Sequence, residues 1–263
     1  MNPAMTPVPA VRTTRPLPRP RALARPRVVP RTAPTSDASE AAVWIYAVAA
    51  GHAAGEIAGV TGVAGEQVRA VTAADLTAVV GTVGESAGRP LASLLASLPA
   101  IETAGRAHHL VIAHLAEAGP VIPLRFATVY PDDATIGSLL AQRSVELTLM
   151  LESFRGRQEW DAKIYVEPAA GGNRAGSLCG TLAAEHAERI ARALSTLAVA
   201  TRRRPASVSF ASEAPRMVVD GAYLLDTECA QEFARIAGSA SAEHPALRAE
   251  LSGPWPPYSF ADR

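Results

Sequence analysis

The side chains best able to carry chemistry are few, and their spacing argues against catalysis. Gly59, Gly62 and Gly65 form a GxxGxxG run. A dinucleotide loop needs GxGxxG opening directly into a helix whose amides reach the pyrophosphate. Here Val68–Val71 follows and reads as a strand, so the glycines mark a flexible connection. Lys163 is the only lysine, which removes any GxxxxGK[ST] phosphate loop. His108, His109 and His114 share one predicted helix. Metal ligands on a helix face are spaced by three or four residues, whereas His109 and His114 lie five apart and no Cys or Glu completes a set. They read as surface or packing histidines. Cys179 and Cys229 form no CxxC pair, no GxSxG elbow occurs, and Cys179 has no assignable His–Asn pair and reads as a small packed residue. The expectation is a protein with no catalytic, cofactor-binding or metal-binding residues, and no enzyme.

Two segments demand more. In Gly119–Tyr130 (GPVIPLRFATVY), Arg125 falls inside an apolar strand with Leu124 and Phe126 on the opposite face. A guanidinium in that setting either closes a buried ion pair or meets a partner. In Gly253–Phe260 (GPWPPYSF), three prolines stiffen a backbone that carries Trp255, Tyr258 and Phe260. Such a segment is a rigid clasp for the end of the chain or an aromatic docking patch. Leu124, Arg125, Phe126, Trp255, Pro256, Pro257 and Tyr258 are therefore the candidate partner-contact or scaffold residues.

The elements that must position these segments begin after an unusual arm. The chain has 263 residues, 25 basic and 25 acidic, with 48% hydrophobic residues. That composition supports a buried core, and its zero net charge argues against a dedicated nucleic-acid binder. The longest apolar run, Ala41–Ala50, is too short to span a bilayer, so a soluble cytoplasmic protein is expected. Residues 1–40 hold seven arginines, two acids and nine of the 21 prolines, leaving 18 basic and 23 acidic residues elsewhere. They show no hydrophobic period and are predicted to be a disordered Arg/Pro-rich arm, residues 1–41.

Beyond it, strands are predicted at 43–48, 68–71, 76–80 and 121–126, and one at 160–166 with Trp160, Ala162, Ile164 and Val166 facing inward. A helix runs from Leu91, broken or kinked at Pro99, to Gly119. A second opens at Pro131–Asp132–Asp133. After a linker at 168–176 come a long helix with Leu178, Leu182, Ile190, Leu194 and Leu197 on one stripe, closed by Arg202–Arg203–Arg204, then a strand at Ser207–Phe210, a strand at Met217–Leu225, a helix at Thr227–Gly238 and a strand at Leu247–Leu251. The expected class is α+β, two small α/β sandwiches with helices on one face of mostly antiparallel sheets: residues 42–168, the simplest form of which is ferredoxin-like, and residues 177–263.

GPVIPLRFATVY at 119–130, WDAKIYV at 160–166, MVVDGAYLLD at 217–226 and GPWPPYSF at 253–260, with VWIYAV at 43–48, resemble the gas vesicle GvpL/GvpF family in order and spacing. The likeness spans about residues 42–260 and leaves the arm outside it. Ala127 stands where the family commonly has Gly. The resemblance implies a two-domain α+β protein with a ferredoxin-like first domain and no catalytic residues. It further implies an accessory or minor structural protein of the gas vesicle that binds the small hydrophobic shell subunit, prevents its aggregation or helps nucleate the vesicle. Its partners would be the shell protein and other gas vesicle accessory proteins, not nucleic acid or membrane, and its location the gas vesicle or cytoplasm. A small-molecule-binding regulatory α+β protein is the alternative.

Overall fold

The computed structural model describes residues 41–51, 55, 57–88, 90–167, 174–205 and 215–261. The arm, most of the 168–176 linker and the strand expected at Ser207–Phe210 lie outside them. The described chain divides into two compact units, residues 41–158 with 255–261, and residues 159–254.

The first unit is built on β1 (Ala42–Ala50), β2 (Arg69–Ala73) and β3 (Leu76–Val83). β2 and β3 form an antiparallel hairpin closed by Ala74 and Asp75, both at positive φ, as a two-residue turn between right-twisting strands requires. α1 (Leu91–Leu94) and α2 (Leu98–Ala118) follow. The helix expected from Leu91 is broken, but at residues 95–97 and not at Pro99 itself. Pro99 lies in the first turn of α2, where its missing N–H is no loss, and Ser97 caps the helix by accepting from the Ala100 N–H at 3.3 Å. β4 (Val121–Pro123), β5 (Val129–Tyr130), α3 (Asp133–Gln142) and α4 (Ser144–Phe154) complete the unit. Asp132 caps α3 through the Thr135 N–H, and that bond holds its carboxyl below the usual range.

The sheet order is β2-β3-β1-β4, with β5 also on β1. This is the ferredoxin-like strand order, but the first crossover runs through the Gly-punctuated stretch 51–68. Its described residues form turns and an isolated Thr61–Gln67 bridge. A register shift between Ile45 and Ala47 puts a bulge at Tyr46. β1 is buried on both faces, which accounts for its unbroken apolar sequence. On one face Trp44, Tyr46, Ala47 and Ala49 pack with the α2 stripe Ala104, Val111, Ile112 and Leu115. The other face meets Ile136, Leu140 and Leu147 of α3 and α4. Helices thus cover both faces of this sheet, where one covered face was expected. The α3–α4 pair was legible as helix, but not the layer it joins.

The second unit contains β6 (Arg157–Val166), α5 (Arg174–Leu197), β7 (Ala200–Arg203), β8 (Arg216–Asp226), α6 (Ala230–Gly238), α7 (Ala240–Glu243) and β9 (Leu247–Trp255). Its sheet has the order β7-β8-β6-β9. β6 shows the expected alternation, with Trp160, Ala162, Ile164 and Val166 buried. It is nevertheless an interior strand of this second sheet and not the last strand of the first, because alternation fixes a strand's buried face and not its neighbours. The α5 residues in the core are Ala183, Ala187, Ile190, Ala191 and Leu194, whereas Leu182 is exposed. The helix ends at Leu197, so Arg202 and Arg203 lie on β7, with Arg204 just beyond, and do not cap it. Arg203 pairs with Glu188, and Arg204 with Asp161 and Asp220.

β9 runs further than expected because Gly253 lets it pass tightly over β6. Gly253 has φ +148°, and a Cβ there would lie 2.9 Å from the Trp160 ring and 3.0 Å from the Glu159 carbonyl oxygen. Gly253→Ala combines backbone strain with overpacking against a buried indole. It is expected to lower stability by about 2 kcal/mol, read as a drop in the urea unfolding midpoint. An unchanged midpoint would mean that the strand has room to move.

Candidate functional site

The 119–130 segment starts as an edge strand and then leaves the sheet. Val121, Ile122 and Pro123 pair with Ala49, Val48 and Ala47 of β1, and Val129 and Tyr130 pair with Trp44 and Val43. Between them residues 124–128 form a loop hung from the bulged part of β1. The Leu124 N–H donates to the Tyr46 carbonyl at 2.8 Å, and the Ile45 N–H to the Thr128 carbonyl at 3.1 Å. Within the loop the Thr128 hydroxyl donates to the Arg125 carbonyl at 2.7 Å. The strand expected over 121–126 therefore ends at Pro123, and Leu124 and Phe126 do not share a face. Pro123 cannot donate a ladder bond, and Ala127 turns the chain at φ +64°.

That φ gives the departure at Ala127 a physical meaning. A left-handed residue with a Cβ is strained, and glycine at the same place is not. Ala127→Gly is expected to stabilise the protein by about 1 kcal/mol, measurable as a rise in the thermal midpoint. A fall would show that the Cβ packs more favourably than its backbone is strained.

The loop sends its three side chains in different directions. Phe126 turns toward α2 and packs edge-on against Trp44 at 5.2 Å and His108 at 5.8 Å between ring centroids. Leu124 lines a groove on the opposite side of the sheet. Arg125 is exposed at that groove's mouth, so a buried ion pair is not its setting.

His108 holds the loop from behind. Its Nδ1 accepts from the Trp44 indole N–H at 3.0 Å, and its Nε2–H donates to the Leu124 carbonyl at 3.1 Å. With one acceptor and one donor role fixed, the ring is the neutral Nε2–H tautomer. Burial pushes its pKa down to about 4, opposed by the Leu124 carbonyl and assisted by neighbouring His109.

The groove encloses about 200 Å³. Ile122, Ile136, Leu140 and Leu147 form its buried floor, and Leu139 and Met150 stand half-buried or less along its wall. A second guanidinium, Arg143, lines it as well. Arg143 donates twice to Glu146, at 2.9 and 2.7 Å, which raises its own pKa and holds the Glu146 carboxyl low. The α3–α4 wall was not foreseen from the sequence. A weak signal was present, since Arg143 interrupts an otherwise continuous stripe of Ile136, Leu140, Leu147 and Leu151.

The tail residues belong to the first unit but not to the groove lining, apart from Ala261. Trp255 packs edge-on against the His109 ring at 5.4 Å, and the Tyr258 hydroxyl lies 2.8 Å from His109 Nδ1. Pro256, Pro257, Ser259 and Phe260 are buried. The seven candidate residues thus fall into two settings, the loop 124–126 at the groove and the tail 255–258 against α2.

A second buried polar cluster was missed altogether. The Tyr46 hydroxyl donates to Glu66 Oε1 at 2.5 Å and accepts from the Val63 N–H at 2.9 Å, while Glu66 Oε2 accepts from the Ala64 N–H at 2.8 Å. Burial, together with the bond to Glu66, drives the tyrosine pKa upward. The glycine-rich stretch thus wraps a buried carboxyl group, not a phosphate. Among the described residues, no three His, Cys, Asp or Glu side chains are grouped to hold a metal, and no helix is long and apolar enough to cross a membrane.

Two layered α+β units of this kind are also found in gas vesicle protein GvpF. The fold matches the crystal structures of GvpF from Anabaena sp. PCC7120 (TM-score 0.62, 18% identity, 85% of this chain and 97% of that one) and from Microcystis aeruginosa (TM-score 0.61, 16% identity, 84% and 99%). In sequence the chain is 33% identical over 239 residues to gas vesicle protein L of Streptomyces sp. (strain CB03234), covering 77% of this chain and 86% of that protein. The family model described as gas vesicle synthesis protein GvpL/GvpF matches residues 42–179 and 171–262. The chain belongs to the GvpL/GvpF family, and its role is a gas vesicle one.

Proposed function

We propose that the protein is a stoichiometric handler of the hydrophobic gas vesicle shell subunit, holding it in solution or presenting it for assembly through the 124–128 loop and the groove beside it. The observation that carries this reading is the loop itself. An edge strand is interrupted for five residues, and the interruption sets an exposed guanidinium, Arg125, beside an apolar groove in a protein of this family. A shell subunit must hide an apolar face until it is incorporated, so before assembly it is prone to aggregate. A groove that covers part of such a face acts by mass action and needs no turnover. The tail residues Trp255–Tyr258 serve in this reading as scaffold, bracing α2 through His109.

The small-molecule alternative fits less well. Pockets for such ligands usually enclose roughly 300–1,000 Å³, and this groove holds about 200 Å³. A larger depression of about 610 Å³ has described walls from α5 alone. The test is co-expression of the shell subunit with a tagged full-length chain, followed by pull-down. The unaltered chain should retain the shell subunit, and Arg125→Ala should retain clearly less while melting at the same temperature. Equal retention by both would remove the loop from the contact.

A further inference from the structure

We infer that the groove between the 124–128 loop and the α3–α4 layer is an anchor site for one large apolar side chain of a partner protein that carries a carboxylate close to that side chain. The inference rests on the proposed shell-subunit reading and names the chemistry by which that partner is held.

Three observations lead to it. The first is size. About 200 Å³ suits one leucine-, methionine- or phenylalanine-sized side chain. Single large side chains in well-packed pockets supply most of the affinity of many protein interfaces. The second is lining. Ile122, Ile136, Leu140 and Leu147 are at most 8% exposed and give a fixed apolar floor, while the flexible thioether of Met150 gives a wall able to fit branched or aromatic shapes. The third is charge. Arg125 and Arg143 both line the site and both are exposed. The Arg143–Glu146 pair is also exposed, and such pairs are weak enough that an incoming carboxylate can share or displace one. A guanidinium offers a carboxylate two parallel N–H donors, so the site discriminates by geometry as well as by sign.

The same charge argues against the chain's own arm as occupant. Residues 1–40 bring seven arginines and two acids, and like charges at a basic mouth repel. The occupant is therefore a different chain with an acidic group beside its anchor.

The experiment uses the full chain and the shell subunit. Met150→Trp fills the groove at its wall, Arg125→Glu reverses the charge, and Arg125→Lys keeps the charge without the fork. Thermal midpoints are measured first, and Leu139→Trp replaces Met150→Trp if the latter lowers its midpoint. The groove-filled and charge-reversed variants are expected to bind the shell subunit at least tenfold more weakly, with Arg125→Lys between them and the unaltered chain. Binding by the unaltered chain should weaken as salt is raised from 50 to 500 mM, and binding by Arg125→Ala much less so. Single Asp→Asn and Glu→Gln changes in the shell subunit should include one that reproduces the loss and adds nothing to Arg125→Ala. If the unaltered chain binds and the groove-filled and charge-reversed variants bind equally well, the anchor site is wrong while the shell-subunit reading stands. If the unaltered chain binds no shell subunit, that reading fails first. If instead the unaltered chain is a dimer that Met150→Trp dissociates, the occupant is a second copy and the inference is overturned.

Discussion

Lowering the pH from 7.5 to 4 is expected to destabilise the first unit by about 3 kcal/mol through His108 alone. The sign follows from the folded-state pKa, about 4, lying below the ordinary value of 6.5. Above pH 6.5 the imidazole is neutral whether folded or unfolded, and its contribution to stability is fully present. As the pH falls from 6.5 toward 4, the unfolded chain takes up a proton that the folded chain refuses, and that contribution is progressively lost. The structural cause is specific. Protonation would place a second N–H at Nδ1, where Trp44 already donates, so two donors would face each other in a site buried from solvent. Urea midpoints for the unaltered chain and for His108→Gln, which keeps a donor and an acceptor but does not titrate, provide the check. The variant should be less stable at pH 7.5 and much flatter between pH 7 and 4.5. Identical pH slopes for the two proteins would remove His108 as the cause.

Gly62→Ala is expected to cost about 3–5 kcal/mol. A Cβ at Gly62 would fall on both the Glu66 carboxyl oxygen and the Tyr46 hydroxyl, well inside contact distance. Neither group can yield cheaply. Tyr46 is fully buried in the face packed against α2, and Glu66 is 3% exposed and bound at both oxygens. Displacing one leaves a buried acceptor without its donor, which is the costly half of losing a hydrogen bond. Gly119→Ala is the matched control, since its extended backbone suits any residue and nothing lies near the added methyl. Gly119→Ala should stay within about 0.5 kcal/mol of the unaltered chain. A Gly62→Ala protein as stable as that control would mean that the Tyr46–Glu66 cluster is loosely packed.

The two settings differ in how far the sequence disclosed them. β1, α2 and β6 carry their signals locally: a run of β-branched and aromatic residues, a 3.6-residue stripe, and a strict alternation from Trp160 to Val166. Asp132 before Asp133 marked a helix start that the structure uses. What depends on distant partners was not legible. Alternation in β6 could not reveal that its neighbours are β8 and β9. The likeness of Leu124 and Phe126 as alternate apolar residues concealed that the strand ends at Pro123 and that the loop beyond it sends the two side chains to opposite sides. The groove has one wall from the loop and one from α3 and α4, so no single window of sequence contains it. Likewise His108 looked like one of three helical histidines, and only the fold places it between Trp44 and the Leu124 carbonyl.

Handling of the shell subunit is read most simply by light scattering from freshly diluted shell subunit, with the full chain added in graded molar ratio and no nucleotide present. Scattering should fall in proportion to the added protein and be suppressed near a fixed small-integer ratio, Met150→Trp should restore it, and the unaltered chain and shell subunit should elute together on size exclusion. Undiminished scattering at a several-fold excess of well-folded protein, with the two components eluting apart, would contradict the shell-subunit reading.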